Sequence, residues 1–196
     1  MSRVSTPFAR IGIATAGVIT VVAATLFGTG VANADTHVDR TFDMFCQDPK
    51  LAGTITAKVT GDLPDSVPPG TVFGSLTFEF TAEFGPEMAK AIRAKGGSSA
   101  VGIFGTQVHA KDSAGNFTPA ATVDVRTPSV PLPPTDVPMT FTGSASYPLH
   151  APNTPGPASL VLASAAVIRA QLDTGTNVAS QCGFRGDRTL GGFTVR

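Results

Sequence analysis

The segment "LDTGT", residues 172–176, carries the Asp-Thr-Gly-Thr order of an aspartic-protease active-site loop. That chemistry needs two carboxylates close enough to share one proton, and Asp173 stands in the single copy of the motif. Only a homodimer would supply the second, and neither the chain's length nor its Pro-rich layout fits such an enzyme. Asp, Thr and Gly are also what a hairpin turn selects. In that reading Asp173 accepts a local backbone hydrogen bond and Gly175 takes a positive φ, and it is the one adopted. Glu79 and Glu83 are the next candidates, as a glycosidase pair. Four residues of strand hold them about 13 Å apart, whereas glycosidase carboxylates stand about 5 to 9.5 Å apart, so they read as a solvated face. His37, His109 and His150 lack the i, i+4 or short-loop spacing of metal ligands. His109 is expected on an exposed strand face between Gln107 and Lys111, and His37 in a flexible terminus. The glycines between Gly97 and Gly102 have phosphate-loop spacing, but Ile103 and Phe104 stand where Lys and Ser/Thr are required. No G-x-S-x-G elbow and no S-x-x-K pair occurs. The sequence therefore assigns no catalytic residue, no metal ligand and no cofactor.

Two residues with a distinct chemistry remain, Cys46 and Cys182, the only cysteines in the chain. Their state depends on the compartment, and the N-terminus speaks to that. Arg3 and Arg10 precede a run, residues 11–27, without a charge, which ends near Ala32-Asn33-Ala34. This is the pattern of a secretory signal peptide with an A-x-A cleavage site. The run is shorter than the roughly 20 apolar residues of a membrane anchor and contains Gly12 and Gly17. No cysteine follows the cleavage site for lipid attachment, "TLGGFTVR" is no hydrophobic tail, and Arg3 and Arg10 are not a twin-arginine pair. The expectation is a signal peptide over residues 1–34 and a single domain over 35–196. The mature protein is then secreted, extracellular or cell-wall associated, with no integral membrane segment. In an exported chain an even pair of cysteines favours a Cys46–Cys182 disulfide; two separate buried thiols are the alternative. A bridge would tie the first strand to one of the last and stabilise the fold by about 4 to 5 kcal/mol in the chain-entropy model.

Loss of Arg3 and Arg10 would leave 12 basic against 14 acidic side chains of the 14 and 14 in the full chain. Without basic runs there is no electrostatic footprint for nucleic acid. A charged fraction of 14%, with 21 glycines and 16 prolines, fits a rigid extracellular β-protein better than a disordered one.

The clearest element is "SLTFEFTAEF". Leu76, Phe78, Phe80, Ala82 and Phe84 alternate with Thr77, Glu79, Thr81 and Glu83, which predicts a strand with one buried face. Pro68-Pro69-Gly70 and Gly85-Pro86 bound it. Strands are also predicted over 54–60 (Ile55, Ala57 and Val59 inward) and 104–112 (Phe104, Val108 and Ala110 inward). Two more follow, over 117–126 (Ala121, Val123 and Val125) and around Met139, Phe141, Ala145 and Tyr147. One helix starts at Pro86, with Glu87 in its first turn, Lys95 in its last and Gly96-Gly97 as its stop. Met88, Ala91 and Ile92 form its apolar stripe, which should cap an end of the sandwich. Residues 158–172 are read as two short strands, with Leu160 and Leu162 inward in one and Ile168, Ala170 and Leu172 in the other. "TPSVPLPPTDVP" contains P-x-x-P spacing, but residues 128–138 as a polyproline helix would span about 34 Å and cross a sandwich. Residues 148–157 read as another such loop. Regular strands between Gly, Pro, Asn and Asp turns predict an all-β, Ig-like two-sheet β-sandwich with one short inserted helix.

A cysteine before the first of these strands, "GDLPDSVPPGT", "GTQVHAKDSAGNF", "TDVPMTFTGSA", "PGPASLVL" and a late cysteine ahead of a glycine-rich final strand resemble a family of exported actinobacterial β-sandwich proteins classed as a domain of unknown function. The resemblance runs from about Phe42 to Val195 and implies a disulfide-closed sandwich with no assigned activity. Gly183-Phe184-Arg185 follow Cys182 where that family carries a Thr-Leu-Asp-Pro-like turn. The functional expectation is a noncatalytic module binding an envelope component or extracellular partner. Its rivals are a secreted hydrolase whose site assembles only in the fold, and a carrier of an apolar small molecule between the sheets. A buried carboxylate pair or nucleophile dyad in a cleft would favour the hydrolase, a deep cavity behind Phe78, Phe80 and Phe141 the carrier, and a flat exposed apolar patch the binding module.

Overall fold

Alternating side chains drive almost the whole chain into strands. The computed structural model describes residues 35–48 and 51–196, which fall within one compact unit; the signal segment expected over 1–34 lies outside the described residues. In chain order the elements are β1 (Asp35–Cys46), β2 (Gly53–Pro64), β3 (Ser66–Val67), β4 (Val72–Phe84), α1 (Pro86–Arg93), β5 (Ser99–Asp112), β6 (Ala121–Pro131), β7 (Met139–His150), β8 (Gly156–Leu172), β9 (Asn177–Arg185) and β10 (Thr189–Val195). The all-β fold with one short inserted helix is as the sequence predicts.

The ladder runs β7-β4-β2-β1-β9-β8, and β8 also pairs with β5, which pairs with β6. β10 pairs antiparallel with the first part of β8 and parallel with β3, so the sheet is mixed. The strands β7, β4, β2 and β1 pack against β6, β5 and β8, with the core between. Phe104 of β5 marks that contact. Its ring centroid lies 4.6 Å from Phe80 and 5.8 Å from Phe84, both of β4, and 6.2 Å from Phe141 of β7. Such aromatic pairs contribute about 0.5 to 1.5 kcal/mol each beyond their burial.

The two layers are joined sideways by little. β1 and β9 share only four register pairs, from Asp43↔Arg185 to Cys46↔Cys182. At the last of these the two cysteines are joined by a disulfide, both buried. The bridge thus joins laterally paired strands where the layers meet, unlike the inter-sheet bridge of antibody domains. On the far side β6 and β7 lie together: a Cβ added to Gly143 would stand 2.8 Å from Val125 Cγ1 and 3.3 Å from the Arg126 carbonyl oxygen. No β-ladder joins β6 to β7 among the described residues.

Several elements differ from the sequence reading. The segment holding His37 is no flexible terminus but part of β1, paired residue by residue with β2. Residues 158–172 are one strand rather than two: every even position from Ala158 to Leu172 is buried except Ser164. What changes is the partner, which is β10 for Gly156–Val161 and β9 for Ala165–Gln171. At the switch the Leu162 N–H donates to the Arg188 carbonyl at 3.0 Å.

β6 starts at Ala121 instead of residue 117 and runs on into the segment read as polyproline, so only residues 132–138 form the crossing loop. Pro128 is tolerated because the register between β5 and β6 shifts there, and the Gly102 N–H donates to Thr127 Oγ1 at 2.9 Å. The same device admits Pro148 into β7: Gly74 and Ser75 bulge opposite it, between the pairs Phe73↔Leu149 and Leu76↔Tyr147. Proline is confined within sheets to such bulges and to edge strands, because it has no N–H for the ladder.

The helix starts at Pro86 as expected but ends at Arg93, so Lys95 lies beyond it. Met88, Ala89 and Ile92 are its buried face. Arg93 donates to the carbonyls of Pro133 at 3.2 Å and Thr135 at 2.6 Å and pairs with Asp136, which fixes the crossing loop against the helix.

Candidate functional site

Asp173 lies in the exposed turn between β8 and β9, where the Gly175 N–H donates to the Leu172 carbonyl at 2.9 Å and Gly175 has φ +83°. The turn reading holds, and besides the local Thr174 N–H the main hydrogen bonds of its carboxylate come from a distant segment. Both oxygens accept from the Ser98 N–H at 3.1 Å, and Oδ2 also accepts from the Ser98 hydroxyl at 2.5 Å. Asp173 therefore clamps the turn to the segment between α1 and β5, 75 residues away in sequence. The Ser98 hydroxyl and N–H hold this carboxyl below the usual carboxylate range. Asp112 and Asp187 are lowered in the same way, Asp112 mainly by Asn116 and Asp187 mainly by Thr189. Asp173 and Asp187 are exposed loop carboxylates and Asp112 ends β5, and all three accept main-chain N–H bonds.

Glu79 and Glu83 lie on the solvent face of β4, in register with Thr60 and Ser144 for the first and Thr56 and Thr140 for the second. Their neighbours are hydroxyls, including the cross-strand pair Thr77–Ser146 at 2.6 Å. His37 meets the Asp62 carboxylate across β1 and β2 at 2.8 Å. His109 is half-buried rather than exposed: its Nδ1 lies 3.1 Å from the Thr118 carbonyl oxygen and its ring packs on Phe117. His150 is exposed at the end of β7. No cluster of three or more metal-ligating side chains occurs among the described residues. Gly102 belongs to β5, so the glycines from Gly97 form no phosphate loop.

Between the layers lies a narrow cavity of about 50 Å³. Phe78, Phe80, Val123, Val125, Tyr147 and Ile168 are among its almost wholly apolar walls. Phe141 is not part of it. A cavity of 150 Å³ holds benzene and drug-sized ligands need about 300 Å³ or more, so this one has room for a small alkyl group. Burial pushes the Tyr147 phenol up. The exposed large apolar side chains Val72, Phe117, Val137 and Val167 belong to β4, the segment after β5, the crossing loop and β8, so no flat apolar patch emerges from them.

The larger concavities are on the outside of the sheet. One, of 310 Å³, lies over β6, β5 and β8; its neighbour, of 650 Å³, lies over β8, β9 and the end of β1. They share Ala165 and Gln181 and form one groove across five strands. Its depth comes from sequence. The register of β5 against β8 shifts between Thr106 and Val108, and small residues, Gly105, Ala165 and Gly183, face outward where the strands pass beneath.

Its polar groups come from separate strands. The register Asp124↔Gly105↔Val167↔Gln181 lays four of its residues in one row, and Arg169 stands beside Ile103 in the next. The Asp124 carboxylate lies close over Gly105, where a Cβ would be 2.8 Å from its Oδ1. Neither Asp124 nor Arg169 has an ion-pair or side-chain hydrogen-bond partner among the described residues, whereas Arg126 nearby donates to Gln171 at 3.1 Å. At the far end the Arg185 guanidinium sits 4.9 Å from the Phe45 ring centroid. The disulfide lies directly below this end: Phe45 and Gln47 flank Cys46, Gln181 and Gly183 flank Cys182, and all four line the groove. Asp124, Arg169 and Gln181 carry no local motif, and only the strand register unites them.

These features define a disulfide-closed all-β domain with an open polar groove on one sheet face. Residues 41–190 match a family described as a family of unknown function (DUF6801), and the chain belongs to that family. The matched stretch starts in β1 and ends in β10, so it includes both cysteines and the whole groove. No curated protein and no solved structure matches the chain. No helix among the described residues is long and apolar enough to cross a membrane.

Proposed function

We propose that this protein is an exported, noncatalytic binding module of the cell envelope or extracellular space, of the kind found among exported actinobacterial β-sandwich proteins. The observation that carries the reading is the groove, where an unpartnered carboxylate and guanidinium, Asp124 and Arg169, lie on one rigid sheet face anchored by the disulfide. Opposite charges left unpaired in one concavity are what a ligand with its own donors and acceptors would satisfy. Asp112, Asp173 and Asp187 are held below the usual carboxylate range by side-chain hydrogen bonds from Asn116, Ser98 and Thr189, with main-chain N–H groups adding to them. General acid–base work at neutral pH calls for the opposite, a carboxyl raised toward the operating pH. A carrier role would need a larger interior than the one between the layers. Export is supported by the leader-like residues 1–34 and by the oxidised cysteine pair, which suits a compartment outside the cytoplasm. The test is sedimentation of the purified mature protein with washed envelopes of the producing cells. The wild type is expected in the pellet and Asp124→Ala/Arg169→Ala in the supernatant, both with the same Tm. Equal pelleting of the two would overturn the assignment of the groove.

A further inference from the structure

Resting on the binding reading above, we infer that the groove takes a neutral, hydroxyl-rich glycan segment lying across the strands. Its length is the first argument. From β6 to β1 it crosses four inter-strand intervals, about 19 Å at 4.8 Å each, which suits a short oligosaccharide chain. The second is what its floor can offer. β8 is paired on both edges, with β5 on one side and β9 and β10 on the other, so its main-chain N–H and C=O groups are taken up by the ladder. An extended peptide is recognised chiefly by main-chain pairing along a free strand edge, and this groove runs across strands instead of along an edge. Recognition has to come from side chains.

Those side chains match hydroxyls. A carboxylate accepts only, a guanidinium donates only, and an amide such as Gln107 or Gln181 does both; a sugar hydroxyl both donates and accepts and can serve each of them. The carboxylates that line the groove, Asp124 and Asp48, are equal in number to its guanidiniums, Arg169 and Arg185, so the lining has no excess of positive charge to select a polyanion. Beside them Ala165 and Val167 give an apolar surface, with Val167 40% exposed, on which the C–H face of a ring can rest. The groove therefore combines a small apolar surface with polar groups of both kinds.

The experiment uses the oxidised mature protein, isotope-labelled, and follows the amide signals of Gly105, Val167 and Gly183. The probes are neutral tetrasaccharides of glucose, mannose, galactose, arabinose and N-acetylglucosamine, an acidic tetrasaccharide of galacturonic acid, and a mixture of extended octapeptides. The expected result is saturable movement of these three signals with at least one neutral tetrasaccharide. Affinity should fall ten-fold or more in Asp124→Ala and in Arg169→Ala, two exposed positions whose replacement leaves Tm unchanged. Movement with the galacturonic acid tetrasaccharide alone would overturn the neutral character of the ligand, and movement with the peptides alone the glycan assignment, each leaving the groove a binding site. No movement with any probe would overturn both.

Discussion

Reducing the Cys46–Cys182 bridge should cost this protein a large part of its stability. The cysteines are 136 residues apart in sequence, so nearly the whole described chain lies within the closed loop. In the chain-entropy model a loop of that size lowers the entropy of the unfolded chain by about 17 cal/mol/K, or about 5 kcal/mol at 25 °C. Any repacking of the two sulfurs, both buried, when the bond becomes a non-bonded contact adds to that loss. For a domain of this size 1 kcal/mol moves Tm by about 2 to 4 °C, so reduction should lower Tm by about 10 to 20 °C. The groove should weaken as well, since Phe45, Gln47, Gln181 and Gly183 flank the two cysteines and β1 meets β9 over only four residue pairs. The assay is urea unfolding at pH 7 with and without a phosphine reductant, read by far-ultraviolet circular dichroism, with Cys46→Ala/Cys182→Ala as a second reduced form. A difference below about 1 kcal/mol between oxidised and reduced wild type would refute the argument from loop closure. A large loss in the double variant but none on reduction would show that packing at the two buried sites, not the covalent link, is what matters.

Intact mass of the exported protein should start at Asp35 and fall two hydrogens below the reduced chain; a mass that retains residues 1–34 would refute processing at Ala34. Acid should destabilise the protein through Asp112, Asp173 and Asp187, whose folded pKa values lie below the ordinary 3.8. A depressed carboxylate stabilises above its unfolded pKa, and that contribution is lost as pH falls through the folded value, so Tm should be level above about pH 5 and drop below about pH 4. Asp173→Asn should flatten part of that drop without affecting secretion, and an unchanged acid profile in this variant would refute the role given to the Ser98 contacts. Gly102→Ala should cost about 1 to 3 kcal/mol by overpacking, because its Cβ would lie 2.8 Å from Phe141 Cδ1 and 2.9 Å from Phe104 Cε2; thermal melting gives the value.

The sequence was most informative where alternation was unbroken. β4, β2 and β7 put Phe78, Ile55 and Phe141 inward as predicted, because one wet face and one dry face impose a period of two. β1 was hidden by Arg40, which occupies an inward-phase position between Val38 and Phe42. The structure resolves the conflict by leading its guanidinium out to the Thr189 carbonyl at 3.1 Å and Asp187 at 3.0 Å. β8 looked like two strands because Ala163, Ser164 and Ala165 weaken the pattern where it changes partner. Pro128 and Pro148 misled for a different reason: the first lies in a bulge and the second opposite one, and a bulge depends on the neighbouring strand, which a local reading does not contain. The groove was illegible for the same reason. Asp124 and Arg169 are 45 residues apart, the same separation as Arg126 and Gln171, and only the pairing of β5 with both β6 and β8 makes them neighbours.

The meeting of β6 and β7 without a ladder also bears on how the protein behaves in a crowd. A sheet with free ends invites other chains to extend it, and natural proteins blunt those ends with proline, charge or cover. Here each terminal strand shelters the other. β6 adds Pro128 and Pro131, which have no N–H to offer a newcomer, and the remaining end of the sheet is β3, only two residues long. A protein built this way can stand at high local concentration with little template for fibril growth once it has closed. Prising β6 from β7 would expose that template, so a Pro128→Val/Pro131→Val variant should keep its fold yet gain a tendency to self-associate.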